Sequence, residues 1–408
     1  MKYITREAER KIQKMDRFFK VVLVTGARQV GKTTMLKHLS EGTERNYVTL
    51  DDMMIRDLAK SDPKLFFQMY RPPILIDEVQ YAPELFEQIK IICDNTEETG
   101  LFWLTGSQQF HMMKHVRETL AGRVGIVNLY GLSWREKKGI IAEDVLDFSL
   151  QGLAERRRYC PQNNVQDVFE HIWRGGMPQV LEADEEMRNE YFNSYIDTYL
   201  MRDVTEAGGI TDYEKFKRLL KAAAALASEQ LNYSNLAAAA DISVPTAKEW
   251  IKVLEGLGII YLLPPYANNE LKRLVKSPKL YFCDTGLCAY LSMWLTKDTL
   301  MAGAASGRFY ENYVVMELVK GLAYSRAKGN LTYYRDANAK EIDLFLEAEG
   351  EIHPLEIKQS ASPRKQEIKK FELLDKAQLK RGAGGIVCMC DEIVPIDDKN
   401  CFIPSNLI

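Results

Sequence analysis

Eight residues of this chain, Gly26-Ala27-Arg28-Gln29-Val30-Gly31-Lys32-Thr33, combine glycines, a lysine and a hydroxyl at the spacing that handles polyphosphate. They follow the apolar run Val21-Val22-Leu23-Val24-Thr25 and precede Thr34 and the helix-like Met35-Leu36-Lys37-His38-Leu39. A buried strand that breaks into a glycine turn and then opens a helix presents a ring of backbone N–H groups at the positive end of the helix dipole. Lys32 then reaches the terminal phosphates and the Thr33 hydroxyl ligates Mg²⁺, with Gly26 to Thr34 forming the nucleotide cradle.

A second set of chemical residues is Asp77 and Glu78, at the end of the apolar run Ile74-Leu75-Ile76. A carboxylate here holds the Mg²⁺ through water, and the next one polarises the attacking water as general base. Thr105 and Ser107 end a further apolar run and have two readings: a contact to the γ-phosphate or catalytic water, or polar neighbours of a turn that needs Gly106. Arg123 is either the cation that phosphoryl transfer requires, in cis or for a neighbouring subunit, or a surface salt-bridge partner. The base-reading motif of guanine-specific proteins is absent, since in Thr296-Lys297-Asp298 the aspartate comes one place early, so ATP is the expected nucleotide.

A third set lies near the other end. Asp343 opens one candidate strand, and Glu356 and Lys358 sit two apart on the next, so both project from one face. Two carboxylates ligate Mg²⁺ or Mn²⁺, and a neighbouring lysine positions a water for attack on phosphodiester. Glu311, on a helix, offers a third carboxylate. A solvated hairpin with alternating charges has the same pattern.

These residues need elements to hold them. The runs 21–25, 46–52, 73–78, 101–107 and 125–131 alternate with helical stretches, which gives a mostly parallel sheet with helices on both faces and ligands at the carboxyl ends of its strands. Across 139–165 the periodicity fades, and acidic, aromatic helical sequence runs up to Asp203. From 213 to 276 the order is helix, short helix capped by Ser234, longer helix capped by Ser243, and hairpin, the order of a winged helix-turn-helix. Thr246, Lys248, Glu249 and Lys252 face outward from the longer helix. Nine Lys/Arg against six Asp/Glu in this window make it only mildly basic, so contact with double-stranded DNA and simple packing both remain open. Candidate strands 331–335, 341–346 and 352–358 complete an α/β region.

The fold class is therefore multidomain α/β. The expected domains are a P-loop ATPase at 1–138, a helical linker or lid at 139–212, a winged helix-turn-helix at 213–276 and an α/β domain at 277–408. A chain of 408 residues suits two or three domains at roughly 150 residues each. A net charge of −3 excludes a polycationic protein, 46% hydrophobic and 27% charged residues fit a globular one, and the seven cysteines lack metal-ligand spacing. With a charged N-terminal segment and no membrane-length apolar run, a cytoplasmic location is expected.

Assembled, these residues resemble a widespread family of bacterial and archaeal AAA+-like ATPases, in which a P-loop domain is joined to a winged helix and a C-terminal domain with the fold of restriction endonucleases. Further marks of the resemblance are Gly175-Gly176-Met177-Pro178, Tyr199-Leu200-Met201-Arg202-Asp203, Tyr281-Phe282-Cys283-Asp284-Thr285-Gly286-Leu287 and Glu311-Asn312. The resemblance implies ATP and Mg²⁺ as cofactors, hydrolysis through Asp77 and Glu78, and a PD-(D/E)xK nuclease triad at Asp343, Glu356 and Lys358. Two departures stand out. The sensor asparagine usual in AAA+ proteins is replaced by Thr105 or Ser107, and no second arginine motif is found, so a homo-oligomer and a protein partner stay as alternatives. The function expected is an ATPase coupled to a DNA-binding, candidate DNA-cleaving half. The alternative is a nucleotide-gated protein-interaction switch on a non-catalytic nuclease-like scaffold.

Overall fold

The computed structural model describes residues 2–106, 116, 118–141, 147–266, 277–326, 328–335, 340–376 and 380–408. Five short strands build the N-terminal sheet: β1 Val21–Thr25, β2 Asn46–Thr49, β3 Ile74–Asp77, β4 Phe102–Gly106 and β5 Val124–Asn128. Every pairing is parallel and the order is β2-β3-β4-β1-β5, so β4 is inserted between the first strand and the third. Strand residues alternate between the two faces. Val21, Leu23, Ile74, Ile76, Phe102 and Leu104 enter one buried cluster, while Val22, Val24, Leu75 and Trp103 enter another. Burial on both faces is why these runs are apolar without alternation, at roughly 1.5–3 kcal/mol for each large side chain removed from water.

The segment expected as a helical linker or lid is largely helical between 150 and 208. Helices Leu150–Arg157, Val165–Arg174 and Glu185–Ser194 are followed by a π-helical stretch, Tyr195–Leu200, and by helix Met201–Gly208. One buried cluster runs from Trp134 through Phe169, Met201, Leu254 and Tyr313 to Ile408, so residues on both sides of 212/213 and 276/277 share a core.

Helices Tyr213–Ala225, Tyr233–Ala240 and Val244–Gly256 precede a two-stranded antiparallel ribbon of β6 Ile260–Leu263 and β7 Lys279–Phe282. Ser243 caps the third helix by accepting from the Thr246 amide. Ser234 does not cap the second. Asn232 does, accepting from the Asn235 amide, because its Asx geometry begins the helix two residues earlier.

The last sheet holds β8 Gly329–Arg335, β9 Glu341–Ala348, β10 Glu351–Lys358, β11 Lys380–Arg381, β12 Gly384–Cys388, β13 Val394–Pro395 and β14 Asn400–Pro404. Strands β8, β9 and β10 form an antiparallel meander, as expected for 331–358, and β12 and β14 continue from β10 in parallel. Leu344, Leu346, Leu355 and Ile357 face the large cluster, which contains much of the 19-residue helix Ser306–Tyr324. Among the described residues no helix is long and apolar enough to cross a membrane.

Asp284 keys these parts together. Its carboxylate accepts from the Gly176 amide (2.7 Å) and from the Leu287 amide (2.8 Å), capping helix Thr285–Leu291 while fixing the Gly175-Gly176 turn. A Cβ on Gly175 would lie 2.3 Å from that carboxylate, and φ there is +78°, so the close approach requires glycine.

Candidate nucleotide site and a second charged cluster

The loop after β1 is shaped by two glycines. Gly26 has φ +143°, and a Cβ there would meet the Leu129 carbonyl oxygen at 2.1 Å; Gly31 has φ +95° and caps helix Lys32–Ser40. From behind, the buried Arg6 donates to the Val30 oxygen (2.9 Å), to the Tyr130 oxygen (2.7 Å) and to Glu136 (3.1 Å). Arg6 is a support that the sequence did not single out; it lies outside every motif and becomes visible only through these long-range contacts.

Lys32 is buried inside the loop, and its Nζ donates to the carbonyl oxygens of Gly26 (3.0 Å) and Ala27 (2.8 Å). Burial lowers its pKa to about 8, against the raising influence of Glu78. The ammonium thus sits where a phosphate would relieve its desolvation.

Strand order sets the next contacts. Because β4 lies between β1 and β3, Thr105 stands beside Asp77 at the carboxyl edge. Thr33 Oγ1 donates to Asp77 Oδ1 at 2.6 Å, and Thr105 Oγ1 donates to the same oxygen at 2.5 Å. Thr105 Oγ1 in turn accepts from the Glu78 amide at 3.0 Å. Tyr47, on β2, donates to Asp77 Oδ2 at 3.4 Å. Glu78 has φ +57°, a left-handed turn that swings its carboxylate out of the strand, where Gln80 donates to it. Thr105 thus bridges the Asp77 carboxylate and the Glu78 backbone. Ser107 lies outside the described residues.

Arg123 stands away from the loop of its own chain. It precedes β5, and in a parallel sheet that is the edge opposite the loop; the register pairs Val124 with Val21 and Asn128 with Thr25. Its Nε binds Asp94 at 2.6 Å and its Nη1 binds the Ala121 oxygen at 3.0 Å. It is a salt-bridge partner and supplies no charge in cis to the loop.

The cavity over the loop measures about 560 Å³. Arg28, Gln29, Lys32, Thr33, Thr34 and Glu78 form one wall; Pro178, Gln179, Tyr191, Tyr195 and Tyr199 form the other. Tyr191 donates to Gln29, and Arg28 is held by Asp203. Pro178 and Tyr199 on this wall, and Asp203 as the partner of Arg28, belong to two motifs that the sequence marked without assigning them a role, Gly175–Pro178 and Tyr199–Asp203.

The C-terminal set also comes together. Asp343 Oδ2 accepts from the Ile357 amide (2.8 Å) and lies 3.5 Å from Lys358 Nζ; Glu356 Oε1 accepts from Lys358 (2.7 Å) and Lys370 (2.6 Å). Burial, and then the neighbouring Asp343, push the Glu356 carboxyl up to about 8. Burial acts the same way on Asp343, but Lys358 and hydrogen bonds outweigh it and hold that group below the usual carboxylate range.

Glu311 lies in the field of Asp343 but has its own partners. Its Oε1 accepts from Lys279 (2.7 Å) and Tyr281 (2.7 Å), and Lys279 also binds Glu341 (2.7 Å). Among the described residues no three acidic, histidine or cysteine side chains are placed to hold one ion. In place of a metal, the three carboxyl groups expected as its ligands, Glu311, Asp343 and Glu356, lie against the ammonium groups of Lys279, Lys358 and Lys370.

On helix Val244–Gly256, Lys248, Glu249, Lys252 and Glu255 are exposed and sum to no net charge; Lys252 pairs with Glu249 at 2.8 Å, and Thr246 is half-buried.

Residues 18–138 match the family model described as an AAA domain. Residues 165–298 and 306–408 match two domains of unknown function, DUF8612 and DUF4143. An uncharacterised protein of Mycobacterium tuberculosis is 27% identical over 406 residues, covering 99% of this chain and 84% of that protein. An uncharacterised protein of Methanocaldococcus jannaschii is 23% identical over 363 residues, with 79% and 75% covered. Among solved structures, a Walker-type ATPase of Pyrococcus abyssi is 15% identical at a TM-score of 0.46, covering 70% of this chain and 95% of that one. The RuvB Holliday junction branch migration motor of Thermotoga maritima is 16% identical at a TM-score of 0.32, with 64% and 90% covered. It is residues 18–138, with the loop Gly26–Thr34 inside them, that correspond to an AAA-type domain.

Proposed function

We propose that this chain hydrolyses ATP at the loop Gly26–Thr34 and transmits its nucleotide state to the C-terminal half. The observation that carries the reading is the shared acceptor: Thr33 and Thr105 both donate to Asp77 Oδ1, with Glu78 fixed next to it. The oxygen-only set of Thr33 and Asp77 suits Mg²⁺, which when bound would neutralise phosphate charge. Glu78 accepts the proton of the attacking water, Lys32 binds the terminal phosphates, and the loop amides and helix dipole orient the chain of phosphates. Measured ATP turnover for wild type and Lys32→Ala tests this; equal turnover in both would remove it.

For the C-terminal half, the side-by-side placement of Asp343, Glu356 and Lys358 at the end of β10 supports a metal-dependent cut of phosphodiester. The three helices between 213 and 256, with the β6–β7 ribbon, support a DNA-binding module. A second reading, a nucleotide-gated switch that binds a protein and cuts nothing, is favoured by the lysine-balanced carboxylates and by the neutral exposed face of helix Val244–Gly256. Duplex DNA with Mn²⁺ separates them: cleavage that vanishes in both Asp343→Ala and Lys358→Ala selects the nuclease, and no cleavage by wild type selects the switch.

A further inference from the structure

With Arg123 on the far edge of the sheet, a guanidinium acting in cis on the transferring phosphoryl group has to come from elsewhere. Arg28, third residue of the loop, lines the cavity with Lys32 and Glu78. Its Nε lies 2.7 and 2.8 Å from the two carboxylate oxygens of Asp203, and its Nη2 donates to the Tyr81 hydroxyl at 3.2 Å. Tyr81 belongs to the 3₁₀ turn that follows Glu78 and also accepts from Arg202 at 2.9 Å. Nη1 makes no hydrogen bond among the described residues, and it is not one of their buried, unpartnered atoms. The guanidinium is therefore oriented from two sides, with one edge left for an anion.

We propose that Asp203 is a positioning residue for hydrolysis, presenting the Nη1 edge of Arg28 to the phosphoryl group in transit. This rests on the ATPase reading above. A planar fork held at two points loses little freedom when its third edge engages an oxygen, and charge developing on equatorial oxygens is what such a group stabilises. Asp203 reaches the loop from helix Met201–Gly208, whose Met201 and Val204 are part of the buried cluster extending to Ile408. Hydrolysis would then depend on how that helix is seated, which links turnover to the state of the C-terminal half.

The test uses the full chain, measuring steady-state ATP turnover together with equilibrium binding of ADP–Mg²⁺ with and without fluoroaluminate, a mimic of the transferring group. Asp203→Asn and Arg28→Lys should each lower kcat roughly 10- to 100-fold with KM near the wild-type value. ADP affinity should hold, while the fluoroaluminate complex weakens in step with kcat, and Asp203→Glu should recover part of the loss. Should Asp203→Asn fail to fold, Tyr81→Phe replaces it, with an expected loss of roughly fivefold in kcat at constant KM. The proposal is overturned by unchanged kcat in these variants, or by ADP affinity falling together with kcat, which marks collapse of the loop. A wild type without turnover would instead end the ATPase reading itself.

Discussion

Thr105 and Asp77 are joined by a 2.5 Å hydrogen bond from hydroxyl to carboxylate, and the same Thr105 oxygen receives the Glu78 amide. One side chain on an inserted strand therefore orients both the carboxylate proposed to face the metal and the backbone of the proposed general base. Removing the hydroxyl while keeping the shape should lower ATP turnover about tenfold or more, since small displacements of reacting groups are costly. Steady-state kinetics of Thr105→Val check this. The melting temperature should drop only modestly, because one buried hydrogen bond contributes about 1 kcal/mol.

Lys32 predicts a pH dependence of nucleotide binding. Its folded-state pKa is depressed to about 8 from the ordinary lysine value of 10.5, chiefly by burial. For a depressed base the burden on the empty fold is full below pH 8 and is relieved between about 8 and 10.5, where the folded chain holds fewer protons than the unfolded one. Polyphosphate requires the charged form, so ATP affinity should be flat at lower pH and weaken as pH rises through about 8. Calorimetry at pH 8.5 in buffers of differing ionisation enthalpy should register proton uptake on binding.

Glu356 predicts the opposite kind of shift. Its carboxyl is raised to about 8 from 4.5 by burial and by Asp343, so the folded chain holds the extra proton between those values. Stability from this group therefore falls as pH rises from about 4.5 to 8. Glu356→Gln removes that dependence, and its melting temperature relative to wild type should climb across this window. A constant difference would contradict the assignment.

Gly26→Ala tests the loop's geometry. A methyl group would meet the Leu129 carbonyl oxygen at 2.1 Å in a backbone conformation that L-residues rarely adopt. Backbone strain alone costs roughly 1–3 kcal/mol, and relief requires the loop to leave the phosphate position. Thermal unfolding should show the loss, and nucleotide should no longer raise the melting temperature.

Much of the nucleotide site was legible in the sequence because it is local. The strand, glycine turn and helix are contiguous, and Asp77 with Glu78 end a run whose apolar residues fill both faces of the sheet. Strand order was not legible, so the contact between Thr105 and Asp77 had to be seen. The position of Arg123 was readable in principle, since a residue preceding a parallel strand lies at the edge away from the ligand. The second wall was hidden for a different reason: Tyr191, Tyr195, Tyr199 and Asp203 reach the loop only through tertiary packing. In the C-terminal half, spacing brought Asp343, Glu356 and Lys358 together correctly. It did not reveal Lys279 and Lys370, which arrive from other elements and balance the carboxylates.

The central claim is that the amides of Gly26–Thr34 and the Lys32 ammonium receive a triphosphate. Titration of the full chain with ATP and Mg²⁺, side by side with Lys32→Ala, measures it most directly. Saturable heat for wild type, with affinity weakened roughly 100-fold or more in the variant, is the predicted result for a lost charge-assisted contact. Equal binding by the two proteins, or no heat from either, would contradict it.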